Sequence, residues 1–436
     1  MRVLRVYHGG RNSAHRARER ALIAAGVDIS LVVPAAWPEA DDASAFRDAF
    51  PIIELPITRS GDVNRHAYRD PRALRLLIED VRPDVLDLHE EPFSVASRQW
   101  LAAAPVAMPV VMYTAQNVDK RFPPPFAKYE REAYRRVAAL YPCSAQAGSV
   151  ARGKGFDGRI EVLPLAYDEA VFAPGSQSLD DDEIVLALFG RLVPEKGVTD
   201  AVRVLAGVHS ARPARLVIMG GGPEERAVRT LAAALGVAGR VQLAPWQSIA
   251  ELAAAYRGAH VVLVPSSPTA TWVEQFGRVI VEAQASGAVV AGYASGSIPE
   301  VAGSAAILTE VGAISQLTER IVELVVNPAD FARRRAQGIA QSAARTWTRV
   351  AERQADLYRR VAAGEVERVE LPGSPQKRRA AARAEFGATA ATTAGTRPFA
   401  LPLLRRGGPA ASALATALDG TAELAARVGE TRLTSH

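Results

Sequence analysis

Cysteine is nearly missing from this chain. Its 436 residues include one, Cys143, so no intramolecular disulfide can form and a disulfide-stapled secreted scaffold is excluded. Beside Pro142, that thiol reads as a small packing residue rather than a nucleophile. Long apolar runs are missing as well. "LAAAPVAMPVVMY" over 101–113 is broken by Pro105 and Pro109 and falls short of a bilayer span, so no transmembrane helix is expected. The opening "MRVLRVYHGG" is too briefly apolar for a signal segment and has no small-residue cleavage site, so it reads as a buried first strand. The expected location is therefore cytoplasmic.

A basic excess is missing from the body of the chain. The formal net charge is +5, and residues 371–436 carry nine basic and four acidic side chains. Nine minus four accounts for all of it, so residues 1–370 balance to zero. A body without basic excess does not attract a phosphate backbone broadly, and no nucleic-acid partner is expected. Any phosphate site must be local. "GGGP" at 220–223 lacks the GxGxxG spacing, and no GxxxxGK[ST] segment occurs, which removes a Walker loop.

What is present is a repeated alternation of short apolar runs and amphipathic stretches. "VLRVYH", "DISLVVP", "PDVLDLH" and "PVVMYT" are strand patterns, and "SAHRARERALIAAG", 71–80 and 126–139 are helical ones. "APGSQSLDDDE" over 173–183 is linker composition. The alternation then restarts with "IVLALFG", "ARLVIMG", "RVQLAP", "HVVLVPS" and "AVVAGY". Strands alternating with helices specify parallel sheets covered on both faces. The expected organisation is an α/β pair of doubly wound parallel-sheet domains: 1–172, a linker at 173–183, and 184–346. A helix at 347–370 is expected to cross back to the first domain, with Trp347, Val350, Gln354, Leu357, Tyr358 and Val361 on roughly one face. The Ala-rich basic segment 371–436 has too few large apolar groups to offset its ordering entropy and is read as a disordered tail.

Open parallel sheets bind ligands beyond the carboxyl ends of their strands. Three segments of the second half stand there: "FGRLVPEKG" with Arg191 and Lys196, "GGGP", and "PSSPTATWVEQFG". The last continues into a helix pattern from Val279 to Ser286, so Gly277 and Arg278 mark a helix start. Free peptide N–H groups there carry roughly half a positive charge and suit an anion. Glu274 precedes that start, and Glu282 lies roughly 7 Å along the axis inside it. A carboxylate accepts two hydrogen bonds at once, which suits vicinal hydroxyls. The pair therefore fits a sugar, a diphosphate and a ribose in line. Spacing alone also fits a first-turn acid and a solvated helix acid. Arg191 and Lys196 fit a diphosphate or an ordinary solvated loop, and "GGGP" fits a ligand loop or a plain turn before a helix.

Together "GRLVPEKG", "GGGPEE", "PSSPTATWVEQFGRVIVEAQASG" and "GSIPEV" resemble the donor domain of family 4 of the retaining glycosyltransferases, which have the two-Rossmann GT-B fold with domains facing across a cleft. "HEEPFS" and "TAQNVDKRFPPPF" extend the resemblance to the first half, so it covers about 1–364. Glu274 and Glu282 match the E-x7-E signature. The resemblance implies transfer of a hexose from a nucleotide-diphosphate sugar to a hydroxyl acceptor, with retention. Arg191 and Lys196 would hold the diphosphate, helped by the peptide groups of Phe276, Gly277 and Arg278. Glu274 would hold the transferred sugar and Glu282 the ribose. No metal or other cofactor is implied, because cations and a helix start stand in for one. The acceptor, a glycan, a lipid-linked or a small hydroxyl compound, would sit mainly in the first domain.

His89 follows a strand and matches a histidine that the family often places near the donor sugar; a buried or capping histidine is the competing reading. Gly9, Gly10 and Asn117 are candidates for donor or acceptor contact, whereas His15 reads as part of a polar helix face. Ala166 and Tyr167 depart from the family pattern, and Asp168 keeps it. A phosphorylase of related architecture needs a lysine for its pyridoxal cofactor, and 184–346 has only Lys196. A sugar-nucleotide epimerase and a non-catalytic sugar-nucleotide-binding protein stay open as alternatives. The basic tail allows weak peripheral contact with the inner membrane face.

Overall fold

The structure is a computed structural model that describes residues 1–38, 48–245, 248–365 and 367–387. It divides into two compact units. The first comprises Met1–Pro164 with the described residues from Thr348 onward, and the second comprises Leu165–Trp347.

The first unit begins with β1 (Arg2–Val6), α1 (Ala17–Ala24), β2 (Asp28–Pro34) and β3 (Ile52–Leu55). A hairpin of β4 (Ile57–Thr58) and β5 (Ala67–Tyr68) leads to α2 (Pro71–Val81) and β6 (Val85–Leu88). Then come α3 (Val95–Ala103), β7 (Val110–Thr114), α4 (Phe126–Arg136), β8 (Ala139–Pro142), α5 (Ala145–Gly153) and β9 (Arg159–Ile160). The parallel sheet runs β3-β2-β1-β6-β7-β8-β9. Val3 of β1 lies between Ile29 of β2 and Val85 of β6. Leu4, Val6, Leu86, Leu88, Val110 and Met112 form a core with Leu74, Ile78 and Trp100 from the helices. Each buried side chain of this size contributes about 1.5–3 kcal/mol.

Local chemistry starts and stops these helices. Asp70 caps α2 by accepting from the Arg72 amide, with Pro71 preorganising its first turn. Ser94 and Ser144 cap α3 and α5 in the same way. "SAHRARERALIAAG" does not form one helix. Residues His8–Arg11 and Ser13–His15 are 3-10 turns, and the α-helix starts at Ala17. Arg16 Nε donates to the Gly10 carbonyl at 2.5 Å, and the Asn12 side chain accepts from the Ala14 amide, so side chains take over the hydrogen bonds a continuous helix would use.

The second unit holds β10 (Ile184–Phe189), α6 (Val198–Ala211), β11 (Ala214–Met219), α7 (Glu225–Ala234), β12 (Val241–Ala244) and α8 (Ile249–Gly258). It continues with β13 (Val261–Val264), α9 (Arg278–Ala285), β14 (Val289–Tyr293), α10 (Ile298–Ala302), β15 (Ile307–Thr309), α11 (Ile314–Val325) and α12 (Pro328–Ser342). Its parallel sheet runs β12-β11-β10-β13-β14-β15. β10 and β13 are apolar on both faces, as strands covered by helices on each side must be.

Helix α13 (Trp347–Ala362) buries Val350, Gln354, Leu357, Tyr358 and Val361. Its Tyr358 hydroxyl donates to Asp87 Oδ2 at 2.5 Å, in the first unit. α14 (Pro375–Phe386) then corrects one expectation, because it lies inside the segment read as a disordered tail. Its composition is poor in large apolar groups, yet specific contacts order it. Ser374 caps it, Ala382 is buried, and Phe386 lies against Gly148, where an added Cβ would stand 3.0 Å from its ring. Glu385 pairs with Arg152 at 3.0 Å and Arg379 with Asp119 at 2.5 Å. The rest of the expected tail, 388–436, lies outside the described residues, and with it most of the basic surface suggested for membrane contact. Among the described residues no helix is long and apolar enough to cross a membrane. Cys143 is buried, and as the single cysteine of the sequence it has no second thiol in the chain to join.

Candidate functional site

In each sheet the strand order reverses beside the first strand, and the crevice at that switch point is where such sheets take ligands. In the second unit the switch lies between β10 and β13. The chain leaves β10 through Gly190 and Arg191, then makes a 3-10 turn over Pro194–Lys196. Gly197 has φ +65°, and a Cβ there would stand 2.1 Å from the Pro265 carbonyl oxygen. Only glycine lets the loop after β10 press this closely onto the end of β13.

That approach delivers Lys196 to Glu274. Their Nζ–Oε2 distance is 2.7 Å, and Ser266 Oγ donates to the same carboxylate oxygen at 3.1 Å. The Lys196 ammonium also stands 5.0 Å from the centre of the Trp272 ring. Glu274 is only 6% exposed, so it is not a solvated acid. Its backbone is pinned as well. The Ser297 amide donates to the Glu274 carbonyl at 3.0 Å, and a Cβ on Gly296 would collide with that carbonyl at 2.3 Å.

Gly277 (φ +82°) turns the chain into α9, which starts at Arg278. Phe276 is buried beside it. Glu282 is 4% exposed and accepts from Tyr256 Oη at 3.0 Å and from Arg278 Nε at 3.2 Å. The fully solvated reading of the two acids therefore falls away. Arg191 is half-buried and makes no hydrogen bond or ion pair among the described residues, which leaves its guanidinium available. "GGGP" resolves mainly as packing: a Cβ on Gly220 would meet the Gly190 carbonyl oxygen at 2.0 Å, and one on Gly222 would meet that of Leu192 at 2.4 Å. Gly221 alone faces open space.

In the first unit the switch lies between β1 and β6. Gly9 and Gly10 are buried in the 3-10 turn after β1, and a Cβ on Gly9 would stand 2.6 Å from the Tyr7 ring. His15 is not on a polar helix face. It lies in the second 3-10 turn, with Nδ1 3.2 Å from the Gly9 carbonyl oxygen. Asn117 is buried in the loop after β7. Asp168 accepts from the Ala170 amide and shapes a turn in the second unit.

His89 leaves β6 stacked on Tyr113, with ring centres 4.0 Å apart, and edge-on to Tyr7 at 4.4 Å. Its Nδ1 is 3.2 Å from Tyr141 Oη, which itself donates to Asp87 Oδ1 at 2.5 Å. Tyr141 has one proton and spends it on Asp87, so His89 Nδ1 carries the proton between these rings and Nε2 keeps its lone pair. Burial, reinforced by the Arg5 and Arg18 charges, drives the imidazole pKa well below its ordinary value. His89 is thus a neutral acceptor, not a cation.

Two family models cover most of the chain. "Glycosyltransferase Family 4" matches residues 18–171, and "Glycosyl transferases group 1" matches residues 172–342. The chain belongs to glycosyltransferase family 4. The D-inositol 3-phosphate glycosyltransferase of Segniliparus rotundus is 31% identical to this family 4 chain over 215 residues, 46% of this chain and 47% of that protein. The protein of the same name from Mycobacteroides abscessus is 36% identical over 154 residues, 32% and 33% of the two chains. The chain thus spans about half the length or less of the curated relatives it matches. Sucrose-phosphate synthase from Thermosynechococcus elongatus has the same GT-B fold, with a TM-score of 0.65 at 17% identity over 84% of this chain and all of that one. So does Anabaena HepE in complex with UDP and glucose, with a TM-score of 0.61 at 16% identity, covering 82% and 99%.

In this family 4 chain the structure brings Lys196 and Glu274 together, and Arg278 and Glu282. Sequence reasoning passed over their partners Ser266, Trp272 and Tyr256, and over Tyr141 and Asp87, which set the tautomer of His89. Ser266 and Trp272 lie inside a quoted motif and were legible in principle. Tyr256 and Tyr141 carried no signal, because only the fold sets them against residues far away in sequence.

Proposed function

We propose that the chain is a retaining glycosyltransferase that moves a hexose from a nucleotide-diphosphate sugar to a hydroxyl acceptor in glycan or glycoconjugate biosynthesis. The observation that carries this reading is the Lys196–Glu274–Ser266 cluster at a switch point, beside a helix start entered through Gly277. Lys196 and Arg191 neutralise the diphosphate, and the peptide N–H groups at Gly277 and Arg278 support its sugar-phosphate end. Glu274 accepts from hydroxyls of the transferred sugar, and Glu282 accepts from the ribose. Donor arrival exchanges the Lys196–Glu274 pair for phosphate on one side and sugar hydroxyls on the other.

During transfer the bond between the anomeric carbon and the leaving phosphate oxygen breaks, and a bond to the acceptor oxygen forms on the same face. The acceptor proton passes to the departing phosphate, so no separate base has to be supplied. Cations and peptide dipoles already face the developing phosphate charge, and such preorganised groups are commonly the largest contribution to catalysis. Turnover without an added divalent metal follows. His89, a neutral acceptor in the first unit, takes a hydrogen bond from substrate.

The test is a thermal-shift screen of the purified chain against UDP, GDP and ADP, followed by donor turnover with EDTA present. UDP is the first choice because the Anabaena neighbour is in complex with it. One nucleotide should stabilise the protein, and product NMR should show the donor's anomeric configuration retained. No stabilisation by any of the three, or an inverted product, overturns the reading.

A further inference from the structure

The switch point of the first unit is built like that of the second. Lys196 and Glu274 meet across β10 and β13; His8, leaving β1, meets Glu90, leaving β6. His8 Nδ1 lies 2.8 Å from Glu90 Oε2, and the His8 amide donates to Glu90 Oε1 at 2.9 Å. Two further groups close on this pair. Trp37, which follows β2, has its ring centre 4.8 Å from that of His8, and His66, from the β4–β5 turn, lies 5.2 Å from Trp37. The end of β1, the end of β6, the chain after β2 and a hairpin turn thus converge on one place.

Hydrogen-bond bookkeeping there leaves something over. His66 Nδ1 is 3.2 Å from the Asp62 carbonyl oxygen, so it is the protonated nitrogen and Nε2 holds a lone pair. His66 is fully buried, yet among the described residues Nε2 has no hydrogen-bond partner, with Glu90 Oε1 4.0 Å away. Asn64 Oδ1, in the same turn, is also buried and has no partner among the described residues. Both are acceptors without donors, and each such group costs about 1–3 kcal/mol when left unmet. Glu90 adds a carboxylate. Burial pushes its pKa up, but His8, by its charge and its hydrogen bonds, outweighs that and holds it below its ordinary value, so it is ionised.

We infer that this switch point binds an uncharged polyhydroxylated ligand, a sugar or polyol whose hydroxyls donate to His66 Nε2, Asn64 Oδ1 and Glu90 while an apolar face lies on Trp37. On the glycosyl-transfer reading above, that ligand is the acceptor. The same acceptors disfavour a phosphorylated compound, because a phosphate brings further lone pairs and negative charge to a place whose unmet groups, among the described residues, are themselves acceptors beside a carboxylate. This chain therefore parts from the relatives named for inositol 3-phosphate in the charge of its acceptor, not in its donor chemistry.

The experiment measures binding to the full chain without nucleotide, by calorimetry. Myo-inositol, glucose and glycerol are compared with inositol 1-phosphate, glucose 6-phosphate and glycerol 3-phosphate. At least one neutral compound should bind roughly tenfold or more tightly than its phosphate, as one close like-charge contact requires. Glu90→Gln should narrow that preference at least severalfold, and His66→Gln should weaken the neutral compound without restoring the phosphate. Circular dichroism and thermal unfolding of each variant serve as the folding control, and UDP binding reports on the second unit. Equal or tighter binding of the phosphates by the unaltered chain overturns the inference, as does no binding of any neutral compound or an unchanged preference in folded Glu90→Gln. Loss of UDP binding by the unaltered chain would instead strike the donor reading, so the two failures are distinguishable.

Discussion

Replacing Glu274 by Gln separates a chemical role from a structural one. The side chain is nearly isosteric, so the Ser266 bond at 3.1 Å and the packing of the loop are retained. What disappears is the charge facing Lys196 at 2.7 Å, in a pair whose side chains are 8% and 18% exposed. A charge-assisted bond is worth about 1.5–3 kcal/mol and a neutral one about 1, so the unliganded protein should lose about 1–2 kcal/mol. For a unit of this size that is a fall in Tm of roughly 3–6 °C. Turnover should fall much further, about 10²–10³-fold, because the carboxylate–hydroxyl bonds strengthen as charge develops on the sugar. Nucleotide affinity should move the other way. With Glu274 neutral, Lys196 no longer leaves a carboxylate to meet the diphosphate, so UDP should bind as well as before or more tightly. Calorimetry with UDP and a coupled turnover assay on the same preparation decide it. If UDP affinity and turnover drop by the same factor, Glu274 is a strut for Lys196 and the catalytic role is refuted.

Other perturbations test separate parts of the molecule. Glu282→Ala should weaken donor binding by roughly tenfold or more while changing kcat less, and Tyr256→Phe, which keeps the carboxylate, should weaken it by less; equal titrations for both variants and the unaltered chain would remove Glu282 from the donor site. A chain ending at 387 should keep the thermal stability of the full chain, whereas one ending at 370 loses α14 with its Arg152–Glu385 and Arg379–Asp119 pairs and should be less stable by about 2 kcal/mol, still binding UDP. Burial lowers the Lys120 pKa to about 8. An unfolded lysine titrates near 10.4, so between these values the unfolded chain holds more protons and stability should rise with pH. Lys120→Met should stabilise the protein at pH 7 by about 1–2 kcal/mol and flatten that rise in a denaturant series; an unchanged slope would show Lys120 to be solvated.

The parallel-sheet units were legible from composition because strands such as 184–189 and 261–264, apolar on both faces, have few other ways to be buried. The helix start at Gly277 was legible for a local reason, since a glycine at positive φ acts within a few positions. The pairing of Lys196 with Glu274 was not. The two are far apart in the chain, and it takes the β10–β13 neighbour relation and the glycine at 197 to bring them within hydrogen-bond reach. The tail shows the limit of a compositional argument. Residues 375–386 have an entropy-rich, apolar-poor sequence, and they are helical because Phe386, Ala382 and two ion pairs find partners on α5 and the loop after β7.

His89 and Glu90 mark the same division. Sequence alone placed a histidine after a strand, at the end where parallel sheets take ligands, because strand direction is a local property that the chain carries with it. Which nitrogen of His89 holds the proton, and that Glu90 is clasped by His8 while His66 keeps an unmatched lone pair, depend on side chains delivered by other strands. Protonation and satisfaction are set by neighbours in space, and only the tertiary structure chooses the neighbours.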